Sequence, residues 1–224
     1  MEKADQLFTG LELMMKLLLE NWRELLKEEQ TYQIYCDMDG VLVDFVKGVV
    51  EQVNKDLKDS TIQSKEMIKL RKALEEAEEA KITLRDLDKH AQPRTPLIKA
   101  ARNYMYKAFA NDEEFWANLP WMPDGQELWN YISQFDPDIL TSPMEEGSER
   151  GKQRWIDDNL EPSPKKVFMS HEKHKWANNG ESNILIDDFP SNTIPWENAG
   201  GVAILHTSAA DTIEKLENLI NEPL

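Results

Sequence analysis

The chain has a single cysteine, Cys36, among 224 residues, so no intramolecular disulfide staples it and a reducing, cytoplasmic setting is expected. Basic residues are also scarce. Against 42 Asp and Glu there are 26 Lys and Arg, and the formal net charge of −16 excludes a surface built for nucleic-acid backbones, which needs cations to displace counterions. Long apolar runs are missing: the most apolar early stretch, Leu11 to Leu19, is broken by Glu12 and Lys16 and is too short to span a bilayer. Neither a signal peptide nor a membrane partner is therefore expected. The four histidines, His90, His171, His174 and His206, show no metal-ligand spacing among themselves. Repeats and low-complexity linkers are absent too. With 40% hydrophobic and 30% charged residues, the chain has the composition of one core domain carrying an inserted smaller unit.

What is present is acidic pairing at the ends of apolar runs. Ile34 to Cys36 is a short β-prone run followed by Asp37-Met38-Asp39-Gly40, and Ile184 to Ile186 is another followed by Asp187-Asp188. In open parallel sheets, ligands bind beyond the carboxyl ends of strands. Asp37 and Asp39, two apart, point the same way on an extended chain, and Gly40 permits a sharp exit. Gathering four carboxylates in one pocket is costly: each like-charged pair at 4 Å repels by about 4 kcal/mol at an effective dielectric near 20. A cation must compensate, and magnesium, which takes oxygen ligands, suits carboxylates.

With these motifs in order, the chain resembles the haloacid dehalogenase (HAD) superfamily of phosphohydrolases. The stretch Asp37 to Phe45, D-M-D-G-V-L-V-D-F, is similar to the 5'(3')-deoxyribonucleotidase branch in particular. Further matching segments are Asp138 to Pro143, a strand ending in Thr141 and Ser142, a lysine near Ser170-His171-Glu172-Lys173, and Ile184 to Asp188 followed by Asn192, Trp196 and Gly200-Gly201. The resemblance implies Asp37 as nucleophile and Asp39 as general acid and base. It implies a Mg2+ held by Asp37, the backbone carbonyl of Asp39, Asp188 directly and Asp187 from outside. Thr141, Ser142 and Lys173, with Lys175 and Lys152 as rivals, would bind phosphate. Thr141 also reads as a helix N-cap. Asp44 opens the segment leading into the insertion, as a helix cap or a substrate contact, and Phe45 accompanies it.

The implied fold is α/β: a Rossmann-like parallel sheet flanked by helices, formed by 31–50 and 115–224, with a helical cap at 51–114 and an extra helix at 1–30. In that first segment Thr9-x-x-Glu12 is a capping-box pattern, and Leu7, Leu11, Met14, Leu18, Trp22 and Leu25 mark one apolar face that packs on the core or on a second copy. In the cap, Met67, Leu70, Leu74, Ala77, Leu84 and Leu87 recur at helical spacing, so Gln63 to His90 reads as one helix or two in sequence. Thr95-Pro96 starts another, carrying Tyr104, Tyr106 and Phe109. These aromatics, with Phe115 and Trp116, either stack on a nucleobase or face inward. The expected activity is Mg2+-dependent hydrolysis of nucleoside or deoxynucleoside monophosphates. The alternatives are a sugar phosphate or another small metabolite as substrate, or a catalytically silent HAD-fold scaffold.

Overall fold

A computed structural model describes residues 33–87, 95–178 and 183–221. The helix expected at 1–30, with its possible oligomer contact, and His90 lie outside the described residues. The strands are β1 (Ile34–Cys36), β2 (Asp138–Thr141), β3 (Val167–Met169), β4 (Ile184–Asp187) and β5 (Val202–Leu205). They form one parallel sheet in the order β3-β2-β1-β4-β5. The three central strands are buried along their whole length, whereas β3 and β5 at the edges are only partly covered, as expected of a sheet with helices on both faces.

The two-residue period of the strands sorts their side chains between two layers. Ile34, Cys36, Ile139, Ile184, Ile186 and Ile204 point to one face. There they meet Leu128, Trp129 and Ile132 of helix α6 (Gly125–Ile132), Trp155 and Ile156 of α7 (Glu146–Asn159), and Leu216 of α9 (Ala209–Asn221). The alternate residues, Tyr35, Leu140 and Leu185, point to the other face, against Ala177 and Trp196. Trp196 belongs to α8 (Pro190–Asn198) and closes on Tyr35, ring centroids 5.4 Å apart.

Between the neighbouring strands β1 and β2 runs a helical excursion: α1 (Phe45–Lys58), α2 (Lys65–Glu76), α3 (Leu84–Leu87), α4 (Pro96–Phe109) and α5 (Glu113–Ala117). It has a core of its own, in which Val49 and Val53 of α1 meet Met67, Leu70 and Leu74 of α2 and Ala101, Tyr104 and Phe109 of α4. Helix starts follow the sequence signals. The Asp44 carboxylate caps α1 by accepting from the Lys47 amide at 3.0 Å, and Thr95 Oγ1 caps α4 by accepting from Ile98. Of the two readings left open for Gln63 to His90, one helix or two in sequence, the described residues show two, α2 and α3. The face running from Met67 to Leu87 breaks at Ala77, Glu78 takes φ +56°, and Leu84 is 55% exposed. The cause is Asn54 of α1, whose side-chain amide pairs with both the N–H and the carbonyl of Ile82 and draws that residue into the core.

Helices α5 and α7 approach so closely that a side chain on Gly151 would collide with Trp116 Cβ and lie 2.5 Å from the Glu113 carbonyl oxygen. Alanine gains about 1 kcal/mol of helix propensity over glycine, but overpacking against a backbone oxygen costs typically 1–3 kcal/mol. Gly151→Ala is therefore expected to lower unfolding stability by roughly 1 kcal/mol in urea titration; a stabilised variant would contradict the α5–α7 contact.

Candidate active site

The carboxyl ends of β1 and β4 lie side by side at the point where the strand order reverses, since β2 follows on one side of β1 and β4 sits on the other. Asp37 continues the ladder one residue beyond β1, donating its N–H to the Ile186 carbonyl at 2.9 Å. The chain then turns at Gly40, φ +83°. A side chain there would overlap the Asp188 carboxylate, so glycine is required both for the turn and for bringing Asp188 against the first loop. One oxygen each of Asp37, Asp187 and Asp188 falls within a 4.8 Å cluster. The two acidic pairs, distant in sequence, thus meet.

Buried lysines answer this charge. Lys173, in a short 3-10 helix after β3 and 2% exposed, places Nζ 2.8 Å from Asp37 Oδ1 and 2.6 Å from Asp187 Oδ2. Burial pulls its pKa down, but the two carboxylates outweigh burial and the net shift is upward. Lys152, on α7 and fully buried, donates to Asp39 Oδ2 at 2.6 Å, Thr141 Oγ1 at 2.8 Å and the Ser142 carbonyl at 2.9 Å. Burial pushes the Asp39 carboxyl up, against the opposing pull of Lys152.

Asp187 is saturated from the protein side. Its Oδ1 accepts from the Phe189 amide at 2.9 Å, its Oδ2 accepts from Lys173, and the Asn192 side-chain amide contacts both oxygens at 3.1 and 3.0 Å. These contacts suit Asp187 to the outer position that the resemblance implies, with Asp37 and Asp188 beside it in the cluster. All the donors are oxygens, the set a hard divalent cation such as Mg2+ takes. The Asp39 carboxylate is not in the cluster.

The other candidate residues take the following positions. Lys175 is exposed and pairs with Glu172 at 2.5 Å, whereas its rivals Lys173 and Lys152 are buried against the aspartates. The Ser142 hydroxyl donates to the Ser170 carbonyl at 2.9 Å, tying the ends of β2 and β3 together. Thr141 is buried beside Lys152. Asp44 caps α1. Phe45, Phe115 and Trp116 pack on one another: Phe45 stacks on Trp116 at 5.0 Å, Phe115 stacks on Phe109 at 4.4 Å, and the Trp116 indole donates to the Phe109 carbonyl. They join insertion to core and do not form an open platform for a base. His171 and His174 are exposed. Cys36 is buried, and burial raises its thiol well above the ordinary range, which keeps it inert.

Sequence reading named Asn192 only as part of the run after Asp188, and missed its contact with Asp187. Asn192 lies in the first turn of α8, five residues on, where a helix that follows a strand end brings a side chain back over it. His206, after β5, donates its backbone N–H to the Asp187 carbonyl at 2.9 Å while its Nδ1 meets Thr212 Oγ1 at 2.8 Å. His206 has no motif spacing that announces it.

No family model matches the sequence, and no curated protein matches it. Solved structures similar to this chain include a hydrolase from Streptococcus pneumoniae TIGR4 (14% identity, TM-score 0.46, covering 84% of this chain and 100% of that one). Another is the L-2-haloacid dehalogenase from Xanthobacter autotrophicus with chloropropionic acid covalently bound (11% identity, TM-score 0.45, 85% and 83%). A third is a haloacid dehalogenase-like family hydrolase from Streptococcus pneumoniae (13% identity, TM-score 0.46, 82% and 90%). Likeness this distant assigns neither chemistry nor substrate. Among the described residues no helix is long and apolar enough to cross a membrane.

Burial, followed by the charge of Asp37, raises the Asp187 carboxyl to about 6. An unfolded aspartate titrates near 3.9. Between about pH 4 and 6 the folded state thus keeps a proton that the unfolded state has lost, and stability of the metal-free protein falls as pH rises across that window. A divalent cation favours the ionised form, so the gain in Tm on adding Mg2+ is expected to grow from pH 5 to pH 7. Thermal melts with Mg2+ or a chelator at pH 5, 6 and 7 measure it; a Mg2+ effect equal at all three contradicts the placement of the cation beside Asp187.

Proposed function

We propose that this chain is a Mg2+-dependent phosphomonoesterase of the haloacid dehalogenase type. The observation that carries the reading is the convergence of Asp37, Asp187, Asp188 and Lys173 at one strand edge, with Asp39 held beside it by Lys152. A structural role explains a buried ion pair, but it does not call for a nucleophile and an acid two residues apart at the mouth of the sheet.

In the first step an Asp37 carboxylate oxygen attacks phosphorus, the bond from phosphorus to the ester oxygen breaks, and an aspartyl-phosphate forms. Asp39 gives a proton to the departing alcohol, a role that its upward-shifted carboxyl suits. In the second step Asp39 takes a proton from water as the water oxygen bonds to phosphorus. The bond to Asp37 breaks, releasing inorganic phosphate and restoring the carboxylate. Bound Mg2+, held by Asp37, Asp188 and the Asp39 carbonyl with Asp187 behind them, would shield the nucleophile from the phosphate dianion. Lys173, between Asp37 and Asp187, supplies fixed positive charge where phosphate oxygens gather.

The substrate class proposed is a nucleoside or deoxynucleoside monophosphate. Its support is the resemblance over Asp37 to Phe45, since Phe109, Phe115 and Trp116, which could have stacked on a base, are packed together with Phe45. A sugar phosphate or other small ester is the competing substrate class. Release of phosphate from a panel of nucleotides and sugar phosphates, with Mg2+ or a chelator, separates them: the expected result is turnover that needs Mg2+ and prefers nucleotides. Asp37→Asn should retain the fold by circular dichroism and lose turnover by at least roughly 10³-fold. No release from any ester in the wild-type protein would sink the enzyme reading in favour of a silent scaffold.

A further inference from the structure

The two buried lysines of the site are not equivalent. An ammonium has three protons, and Lys152 spends all three inside the protein, on Asp39 Oδ2 (2.6 Å), Thr141 Oγ1 (2.8 Å) and the Ser142 carbonyl (2.9 Å). The Trp116 ring faces the same ammonium at 5.1 Å from its centroid, and that ring is locked by its own bond to the Phe109 carbonyl and its stack on Phe45. No proton of Lys152 is left for a ligand. The Asp39 carboxylate, in turn, is divided: Oδ2 is tied to Lys152, while Oδ1 is buried without a hydrogen-bond partner.

We propose that Lys152 is a positioning residue that fixes the rotation of the Asp39 carboxylate, reserving Oδ1 for proton exchange with the departing alcohol and with water, and that it does not bind the substrate phosphate. This rests on the phosphomonoesterase reading and assigns a separate task within it. Lys152 can hold this position because its neighbour Gly151 lets α7 close on α5, bringing Trp116 over the ammonium. The ion pair is rigid for an energetic reason: a fully buried ammonium released from its carboxylate leaves two uncompensated charges.

Leaving-group dependence tests the assignment. Phosphoryl transfer to Asp37 from p-nitrophenyl phosphate needs little proton donation, because nitrophenolate leaves unaided, whereas transfer from a nucleoside 5'-monophosphate releases an alkoxide that must be protonated. The expected result for Lys152→Met is a fall in kcat/KM of about 100-fold on the nucleotide and less than about 5-fold on the nitrophenyl ester, with the inhibition constant of inorganic phosphate within about 3-fold of wild type. Equal losses on both esters together with weakened phosphate inhibition would overturn the proposal in favour of direct phosphate binding. Should Lys152→Met fail to fold, Asp39→Asn and Asp39→Asn/Lys152→Met are compared, the double variant lacking the stranded charge. Equal kcat/KM on the nucleotide supports action through Asp39, and a further loss beyond about 10-fold overturns it. A wild-type protein inactive on both esters with Mg2+ removes the hydrolase reading itself, whereas an active wild type with the contrary variant pattern removes only the role of Lys152.

Discussion

Repulsion among aspartates at the mouth of a parallel sheet is the constraint around which this structure is arranged. Asp37 and Asp187 belong to adjacent strand ends, and Asp188 is pressed against the loop that leaves β1. In a chain with net charge −16 the global field offers no relief. Relief comes from within reach of a hydrogen bond: Lys173 between Asp37 and Asp187, Lys152 against Asp39, and Asn192 with the Phe189 amide on the remaining lone pairs of Asp187. Buried ion pairs of this kind are weak sources of stability, because desolvation offsets most of the Coulomb gain. Their value is orientation.

The packing serves that orientation. Side chains of β1, β2 and β4 alternate between two apolar layers, which holds the three strand ends in register and sets Asp37, Thr141 and Asp187 along one edge. Gly40 admits Asp188, and Gly151 admits Trp116 over Lys152. The inserted helices have their own apolar core and meet the sheet domain through the stack of Phe45, Phe109, Phe115 and Trp116. The ring that packs against Lys152 is thus part of the seam between insertion and core. Asp39, the proposed acid and base, and the groups that shape the insertion share a single set of contacts.

Much of this was legible in the chain itself, for physical reasons. Short β-branched runs ending in acids fix both the strands and the edge where the acids gather, and Thr95-Pro96 and Asp44 announce helix starts through local chemistry. Illegible features depend on distant partners. The break after Ala77 follows from Asn54 capturing the Ile82 backbone, 28 residues away, which no local periodicity encodes. Lys173, Lys175 and Lys152 are alike as residues, and their fates differ by the face each presents: Lys173 and Lys152 inward, Lys175 outward to Glu172. Phe109, Phe115 and Trp116 carry the spacing of either a core or a platform, and only their mutual packing places them in the core.

The proposed reaction rests on a covalent bond from Asp37 to phosphorus. Acid quenching of the wild-type protein during turnover with Mg2+, borohydride reduction of the trapped acyl phosphate and peptide mass spectrometry test it most directly. The expected result is conversion of Asp37 to homoserine, dependent on both substrate and Mg2+. Turnover that leaves Asp37 unmodified, or a label on a different side chain, would contradict it.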